Sequence, residues 1–515
     1  MTMLYPIGIQ TFEDIRRNGY VYIDKTGLIY RLASTGKHYF LSRPRRFGKS
    51  LLISTLEAYF SGNKELFYGL EIEKSEKEWN AYPVLHLDLS GANYNCRQVL
   101  HSKLNAFLKK YEDIYDLPND DPTLSVRFDT LIERIATKTG KKVVVLIDEY
   151  EKPIMDNFRN PELQNWFRNE LQGFYSVLKS KDKYIRFGFL TGVTRIGKLS
   201  IFSGLNNPDD ISMNAQFVDI CGVSETELKK YFHESVKELA AASGLSEEGC
   251  YKKLAETYDG YHFCENTIGI YNPFSLLKAF GAMKFSEYWF ETGTPSFLVD
   301  IMRETSFDIT QLSDQEADST LLTDIDSAFE NPIPLMYQSG YLTIRGYEPY
   351  YQLYHLGFPN MEVKHGFLNF LVRYYTPVGA DTPGMLITRM ARDINNGNPE
   401  SFMKRLEALF AKTSYQIQAD CEKDFQYAMY IILELMGEYA TVEHTTSEGS
   451  IDILIQTKHY IYIIEIKSNA SAAEALAQIE AKSYARQFHG DPRRLFKIGV
   501  NFSTASRCIN DWKVI

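Results

Sequence analysis

Cysteine is scarce in this chain: six residues in 515, at Cys96, Cys221, Cys250, Cys264, Cys421 and Cys508. They are widely scattered, with no CxxC pair to begin a zinc site and no dense disulfide framework, so a reducing compartment is the simplest reading. Long apolar runs are also lacking, and none approaches the roughly 20 residues that a membrane span needs. The N-terminus, MTMLYPIGIQ, has no basic segment followed by an apolar core, so the expected location is the cytoplasm, away from membranes. Positive charge is in deficit, with 56 Lys and Arg against 66 Asp and Glu for a net charge of −10. That excludes a global basic field for nucleic acid and makes any such contact local. A composition of 44% hydrophobic and 24% charged residues, with 18 Pro and 32 Gly, excludes collagen, coiled coil, low-complexity polymer and wholesale disorder. Aromatic residues, by contrast, are plentiful at 14%, which suits thick helical layers or broad contact surfaces. The length suits about three domains.

Residues 1–222 alternate short β-rich runs with helical patterns, the rhythm of a parallel sheet covered by helices. Strands are expected at Tyr39 to Ser42, Pro83 to Leu89, Lys142 to Ile147 and Ile185 to Leu190. A run as continuously apolar as VVVLI suits a strand buried on both faces. Leu51, Leu52, Leu56, Tyr59 and Phe60 recur at helical spacing and predict a helix packed on that sheet. Residues 223–375 read as a helical or winged-helix-like middle domain. Ser224 and Glu227 open it in a capping-box pattern, and a small β-containing unit near SGYLTI closes it. The stretch TPVGADTPG marks a boundary. The third domain, 385–515, is expected to have helices, strands at Ile451 to Ile455 and Tyr460 to Ile466, a helix around Ala472 to Phe488, and a last strand from Leu495 to Asn501.

In FLSRPRRFGKSLL, Gly48, Lys49 and Ser50 follow a strand and open a helix, the context of a Walker A loop. Amides at the helix N-terminus would face phosphate, Lys49 would neutralise β/γ charge and Ser50 would hold Mg²⁺. The pattern's first glycine is absent: position 43 is Arg43, followed by Pro44, Arg45 and Arg46. A loop with Pro44 and no first Gly has less freedom to adopt positive φ, so a different backbone path is expected, while the three arginines add charge for phosphate. The bland alternative is a basic turn with a chance GKS. A second strand, in KKVVVLIDEYEKP, ends in Asp148 and Glu149, where P-loop enzymes place a Mg²⁺-associated aspartate and a water-polarising glutamate. An N-capping acidic pair would explain the acids but not their pairing with GKS. A third strand ends near Thr191, Thr194 and Arg195, a position suited to sensing γ-phosphate, with Arg195 the better candidate. An ordinary strand-end loop fits that position equally well.

The segments LYPIGIQTFEDIRRNGYVYIDKTGLIYRL, FLSRPRRFGKSLL, VVVLIDEYEKP, TGVTRIGKLSIFSGLNN and YDGYHF, in this order, resemble the predicted AAA-ATPase-like family of bacterial and archaeal proteins. That family typically carries a PD-(D/E)XK nuclease-like module at its C-terminus, and RPRRFGKS is its own form of the loop. The resemblance implies ATP contact from Gly48, Lys49 and Ser50, and metal or water work for Asp148 and Glu149. Asp24 and Lys25 in YIDKT also match, with the nucleotide base or the loop as their expected neighbours.

Residues at the C-terminus support the same reading independently. SIDILIQTKHYIYIIEIKS predicts a hairpin turning at Lys458 and His459, a register that sets Asp452 opposite Glu465. Lys467 lies two residues on and shares that face. Two acids for a hard cation such as Mg²⁺ and a lysine beside them suit phosphodiester hydrolysis. The trio is also the D…ExK pattern of the PD-(D/E)XK fold, although a half-exposed strand with alternating charge carries similar residues. By resemblance, Gln478 and Tyr484 match that family's Q-x-x-x-x-x-Y feature, and Glu438 stands where another acid is kept, with Glu434, Glu443 and Glu448 as competitors. Residues 386–515 hold 15 Lys and Arg against 16 Asp and Glu, so phosphate contact there depends on local placement, with Arg486, Arg493 and Arg494 as candidates. His262 in YDGYHF reads as a packed or turn-forming residue.

The expected fold is therefore α/β: a P-loop NTPase parallel sheet, a helical or winged-helix-like middle domain and an α/β restriction-endonuclease-like domain. The expected function is an ATP-binding switch, with ATP and Mg²⁺ as cofactors, coupled to a metal-dependent nuclease acting on DNA or RNA. Arg45, Arg46 and Arg195 are expected to join Gly48, Lys49 and Ser50 in nucleotide binding. Asp148, Glu149, Asp452, Glu465, Lys467 and Gln478 are the expected catalytic set, and Ser50, Asp148, Asp452 and Glu465 the expected metal ligands. The alternative is a nucleotide-dependent regulatory or interaction protein whose nuclease-like domain is inactive. Oligomeric state is open.

Overall fold

A computed structural model describes residues 3–196, 208–292, 296–312, 315–323, 330–375, 383–411, 421–437, 441–444, 452–503 and 508–515. Two compact units divide between Val363 and Lys364, inside the Met361–Tyr375 helix. Among the described residues no helix is long and apolar enough to cross a membrane.

The first unit is built on five parallel strands, β1 (His38–Ser42), β2 (Val84–Asp88), β3 (Val143–Asp148), β4 (Ile185–Gly192) and β5 (Asp209–Asp210), in the order β2-β3-β4-β1-β5. Every residue of β3 is buried, as its unbroken apolar run requires of a strand covered on both faces. In this order β4 lies between the strand feeding the Gly48 loop and the strand ending in Asp148. Register aligns Ser42 with Gly192 and Asp88 with Asp148. The loops after β1, β3 and β4 therefore converge at one end of the sheet, where ligands bind in open α/β folds. The Lys49–Phe60 helix follows the loop at once. The Arg97–Ile114, Leu124–Thr139 and Pro161–Ser180 helices form a second layer around stacked Phe128 and Phe174, whose ring centroids are 4.5 Å apart.

A two-stranded pair, β6 (Val223–Ser224) with β7 (Ile270–Tyr271), leads into the middle region. Ser224 and Glu227 form a complete capping box at the start of the Glu225–Ser243 helix. Glu227 also accepts the Lys25 ammonium at 2.6 Å, pinning the N-terminal segment to that helix. Next come the Ser296–Glu304 helix, strand β8 (Gln315–Ala317), the Ser319–Thr323 and Ile333–Ser339 helices, and strands β9 (Thr343–Glu348) and β10 (Leu353–Gly357). The antiparallel order β8-β10-β9 is that of a winged helix. Its wing exposes Tyr350 (88%) and Tyr351 (65%). The Ile333–Ser339 helix, which occupies the position of a recognition helix, is instead buried from Ile333 through Gln338.

The second unit contains the Pro383–Asn395, Pro399–Ala411 and Cys421–Met436 helices and a five-stranded sheet. Its strands are β11 (Thr441–His444), β12 (Ile453–Gln456), β13 (Tyr460–Ser468), β14 (Arg494–Ser503) and β15 (Cys508–Val514), in sequential order. Strands β11 and β15 were not expected from the sequence. The β13–β14 pair is parallel and is crossed by the Ala472–Ala481 helix, whose Leu476 and Ile479 pack with Ile461 and Ile463.

Arg43, expected to offer charge to phosphate, does not. It is 1% exposed, and its guanidinium donates to the carbonyls of Ser42 (2.9 Å), Ser212 (2.7 Å), Phe217 (3.3 Å) and Val218 (3.4 Å). It also lies 4.0 Å from the Phe263 ring centroid. Burial lowers its pKa to about 10, which still leaves it charged at neutral pH. Arg43→Ala strips four buried carbonyls of their donor and opens a cavity, so urea denaturation should show a loss of about 3–5 kcal/mol.

Candidate functional sites

The loop from Arg43 to Gly48 is shaped by what holds its carbonyls. Lys49 Nζ donates to the carbonyls of Arg43 (2.9 Å) and Pro44 (3.1 Å). The Trp289 indole donates to the Arg45 carbonyl at 3.0 Å, and the Gly222 amide to the Phe47 carbonyl at 3.1 Å. In a trans peptide the following N–H points opposite to the carbonyl, so tying these oxygens to the protein turns the amides of Arg45, Arg46 and Gly48 the other way. Positive φ falls at Arg46 (68°) and Gly48 (95°), the different path that the missing first glycine predicts. Among the described residues no protein acceptor takes the amides of Arg46, Gly48, Lys49 or Ser50. Such a set of free donors at a helix N-terminus suits phosphate.

Arg45, Arg46, Gly48, Lys49, Ser50 and Glu149 border a cavity of about 380 Å³, within the range of small-molecule sites. Its other walls include Pro6, Ile9, Gln10, Lys25 and Phe274, so apolar and charged groups share the lining. Lys25 is thus at the pocket but ion-paired with Glu227. Asp24 accepts from Thr26 and from the Glu71 amide, a structural role.

Behind the loop, the Ser50 hydroxyl lies near enough to Asp148 to favour its ionised form. Burial raises the pKa of Asp148, opposed by Ser50 and Lys49; burial likewise raises that of Glu149 and lowers that of Lys49, opposed by Asp148, Glu151 and Glu149. The structure does not bring Arg195 into the cavity. Its Nε lies 3.2 Å from Ser42 Oγ and 3.6 Å from the Asp210 carboxylate, while its amide donates to Gln338 Oε1 at 2.7 Å. Sequence reasoning missed Glu151. Its Oε1 accepts the amides of Val193 (2.5 Å) and Thr194 (2.9 Å), stitching the loop after β3 to the end of β4. A methyl group on Gly192 would lie 2.0 Å from Glu151 Oε2, so the glycine makes room for the carboxyl. The third acid in DEYE, following the Asp148–Glu149 pair, was the available signal.

In the second unit, β12 and β13 pair Ile453 with Ile464 and Gln456 with Ile461, and Thr457 N donates to Tyr460 O around Lys458 and His459. This is the register expected from the turn. Asp452, one residue before β12, accepts the Ile466 amide at 2.8 Å. Glu465 is 1% exposed; its Oε1 accepts from Lys467 at 3.2 Å and from the Gln478 amide, while its Oε2 is buried without a partner. Burial raises the pKa of Asp452 and of Glu465, the latter pushed further by Asp452. An orphaned carboxylate oxygen beside a second acid fits a divalent cation. Among the described residues no three His, Cys, Asp or Glu side chains gather as a metal site. Glu438 and Glu448 lie outside the described residues, as does the side chain of Glu443, and Glu434 pairs with Lys364 at 2.5 Å. Arg493 is occupied by Asp491, Gln456 and the Thr457 carbonyl, bracing the hairpin, and Tyr484 joins the core cluster. His262 bonds the Thr267 carbonyl and Thr343, a turn-forming role.

Residues 6–202 match the family described as "Predicted AAA-ATPase", and residues 420–512 the PD-(D/E)XK nuclease superfamily. The chain is also 35% identical over 518 residues to an uncharacterized protein in the vnfD 5′ region of Azotobacter chroococcum mcd 1, covering 98% of this chain and 97% of that protein. The chain belongs to the predicted AAA-ATPase-like family. In this AAA-ATPase-like protein both family regions fall on the sites just described: the first holds the Gly48 loop with Asp148 and Glu149, the second Asp452 through Gln478.

Two titrations follow from these environments. Burial raises the Glu151 pKa to about 7, so the folded state holds a proton that the unfolded chain releases near pH 4.5, and the stability linked to that proton is lost as pH rises between those values. Glu151→Gln keeps the Oε1 acceptor without the charge. Its Tm relative to wild type should rise from pH 5 to pH 8, by the equivalent of roughly 2–3 kcal/mol; a constant difference would contradict the assignment. A cation at the second site would compete with protons, whose binding to Asp452 and Glu465 burial strengthens. Mn²⁺ affinity, read by calorimetry, should therefore fall on acidification from about pH 8 to about pH 5, and Asp452→Asn should abolish it.

Proposed function

We propose that this protein is an ATP-dependent switch in which nucleotide at the Gly48 loop governs a metal-dependent phosphodiesterase centred on Glu465. The observation that carries the reading is the Glu465 carboxylate. It is buried and held on one oxygen by Lys467 and Gln478, while its second oxygen has no partner beside Asp452. Burying such an oxygen unpaired is costly, and a ligand that repays the cost is a cation.

At the nucleotide site, the free amides of Arg46, Gly48, Lys49 and Ser50 would bind phosphate oxygens, with Arg45 and Arg46 adding charge at the mouth. Lys49, with two N–H groups on the Arg43 and Pro44 carbonyls, would offer its third to the β/γ-phosphates, and Glu149 would orient the attacking water. Ser50 with Asp148, and Asp452 with Glu465, are the residues that would hold Mg²⁺. Bound there, the ion would neutralise phosphate charge and activate water. Lys467 would offset charge developing on the phosphodiester, and Gln478 would hold Glu465 in place. Arg195 would sense occupancy indirectly, through Ser42 at the foot of the loop. The second reading, a regulatory protein with an inactive nuclease-like domain, draws on the near-neutral balance of residues 386–515.

Lys49→Ala should weaken ATP binding by about 10- to 100-fold; unchanged affinity would remove the nucleotide assignment. With Mg²⁺ or Mn²⁺, the full-length protein should cleave DNA or RNA, and Glu465→Gln or chelation should stop it. No cleavage of single- or double-stranded substrates, with or without ATP, would favour the regulatory reading.

A further inference from the structure

The phosphate loop lacks the glycine that normally lets its backbone turn, yet its peptide planes are fixed. Lys49 fixes two carbonyls from within the motif. The Arg45 carbonyl is fixed from outside, by the Trp289 indole at 3.0 Å. Trp289 lies 244 residues away in sequence, just before the winged helix. It is 2% exposed and is itself held: its amide donates to Glu362 Oε1 at 2.7 Å, which also accepts from Ser275 Oγ at 2.9 Å. Its ring packs on Tyr341 with centroids 5.3 Å apart, and Tyr341 hydrogen-bonds the Arg45 side chain. Arg45 is thus gripped by both its main chain and its side chain. Nearby, Gly340 presses on Pro44 so closely that a methyl group there would sit 2.7 Å from Pro44 Cβ.

We infer that Trp289 is a positioning residue for phosphate binding: by holding the Arg45 carbonyl it aims the Arg46 amide at a nucleotide's phosphates. The mechanism is the geometry of a trans peptide, in which anchoring the carbonyl on one side presents the next N–H on the other. Arg46 sits at φ 68°, an uncommon conformation for a residue with a side chain, and an external anchor is what such a residue needs to stay there. The middle region therefore supplies from a distance the restraint that the loop's own sequence omits. The inference rests on the proposal that the cavity binds ATP, and deepens it by naming the part of the ligand that Trp289 serves.

The test is Trp289→Phe in the full chain, which keeps an aromatic ring and removes the N–H, with calorimetric affinities for ATP, ADP and adenosine. Loss of one hydrogen bond predicts ATP and ADP binding weakened about 3- to 10-fold, with adenosine affinity unchanged. Equal ATP affinity in variant and wild type would overturn the inference while leaving the nucleotide reading intact. An equal loss for adenosine would show general damage to the pocket and would overturn it too. If wild type binds no ATP, the nucleotide reading fails first, and this inference with it. Should the variant not fold, the ¹⁵N–¹H indole signal of Trp289 in wild type serves, assigned by replacing the other three tryptophans one at a time with Phe. It should shift with ADP and stay put with adenosine; the same response to both would overturn the inference.

Discussion

The first unit depends on the direction of the backbone carbonyls between residues 43 and 48. A loop that binds phosphate must point several N–H groups one way, and every such N–H commits a carbonyl to the opposite side, where it needs a donor. In this chain the donors are the Lys49 ammonium, the Trp289 indole and the Gly222 amide, with Arg43 buried beneath as a hub for four further carbonyls. Glycine would have made the turn cheap. Arginine and proline make it dependent on the surrounding fold.

Both candidate sites also bury acid beyond what their protein partners neutralise. Asp148, Glu149 and Glu151 crowd one lysine, and Asp452 with Glu465 crowd another. In each case burial is the main reason the carboxyls resist ionisation, a penalty that a bound cation would reverse. Glu151 differs from the others in accepting two backbone amides at the end of β4. It ties the loop after β3 to the strand that reaches Arg195, so a displacement of either loop is felt by the other.

Much of this was legible in the sequence, and the limits have physical causes. Short β-rich runs identified β1 to β4, most plainly the unbroken VVVLI of β3, because a strand buried on both faces needs such a run. The two-residue turn at Lys458 and His459 set the β12–β13 register, because a hairpin's pairing follows from its loop. Strands β11 and β15 escaped notice because TVEH and CINDWKV carry polar residues that only their sheet neighbours make compatible with a strand. Arg43 was misread for a related reason: a guanidinium beside a phosphate loop looks like a ligand contact until the carbonyls around it, from Ser212 to Val218, are located in space. Trp289 and Glu151 could not be placed, since neither belongs to a spacing rule and each acts on backbone far away in sequence or on another strand.

The buried face of the Ile333–Ser339 helix has an architectural consequence. A winged helix ordinarily keeps this element free to enter a groove, but here Ile333, Leu335 and Met336 are within the core, Gln338 holds the Arg195 amide and the helix ends in Gly340 against Pro44. The end of the helix is thus committed to the loops after β1 and β4. To dock on another macromolecule through the end of that helix, the winged helix would have to give up its contacts with Arg195 and Pro44. The same surface can serve one neighbour at a time, leaving the wing with Tyr350 and Tyr351 as the portion that stays outside that competition.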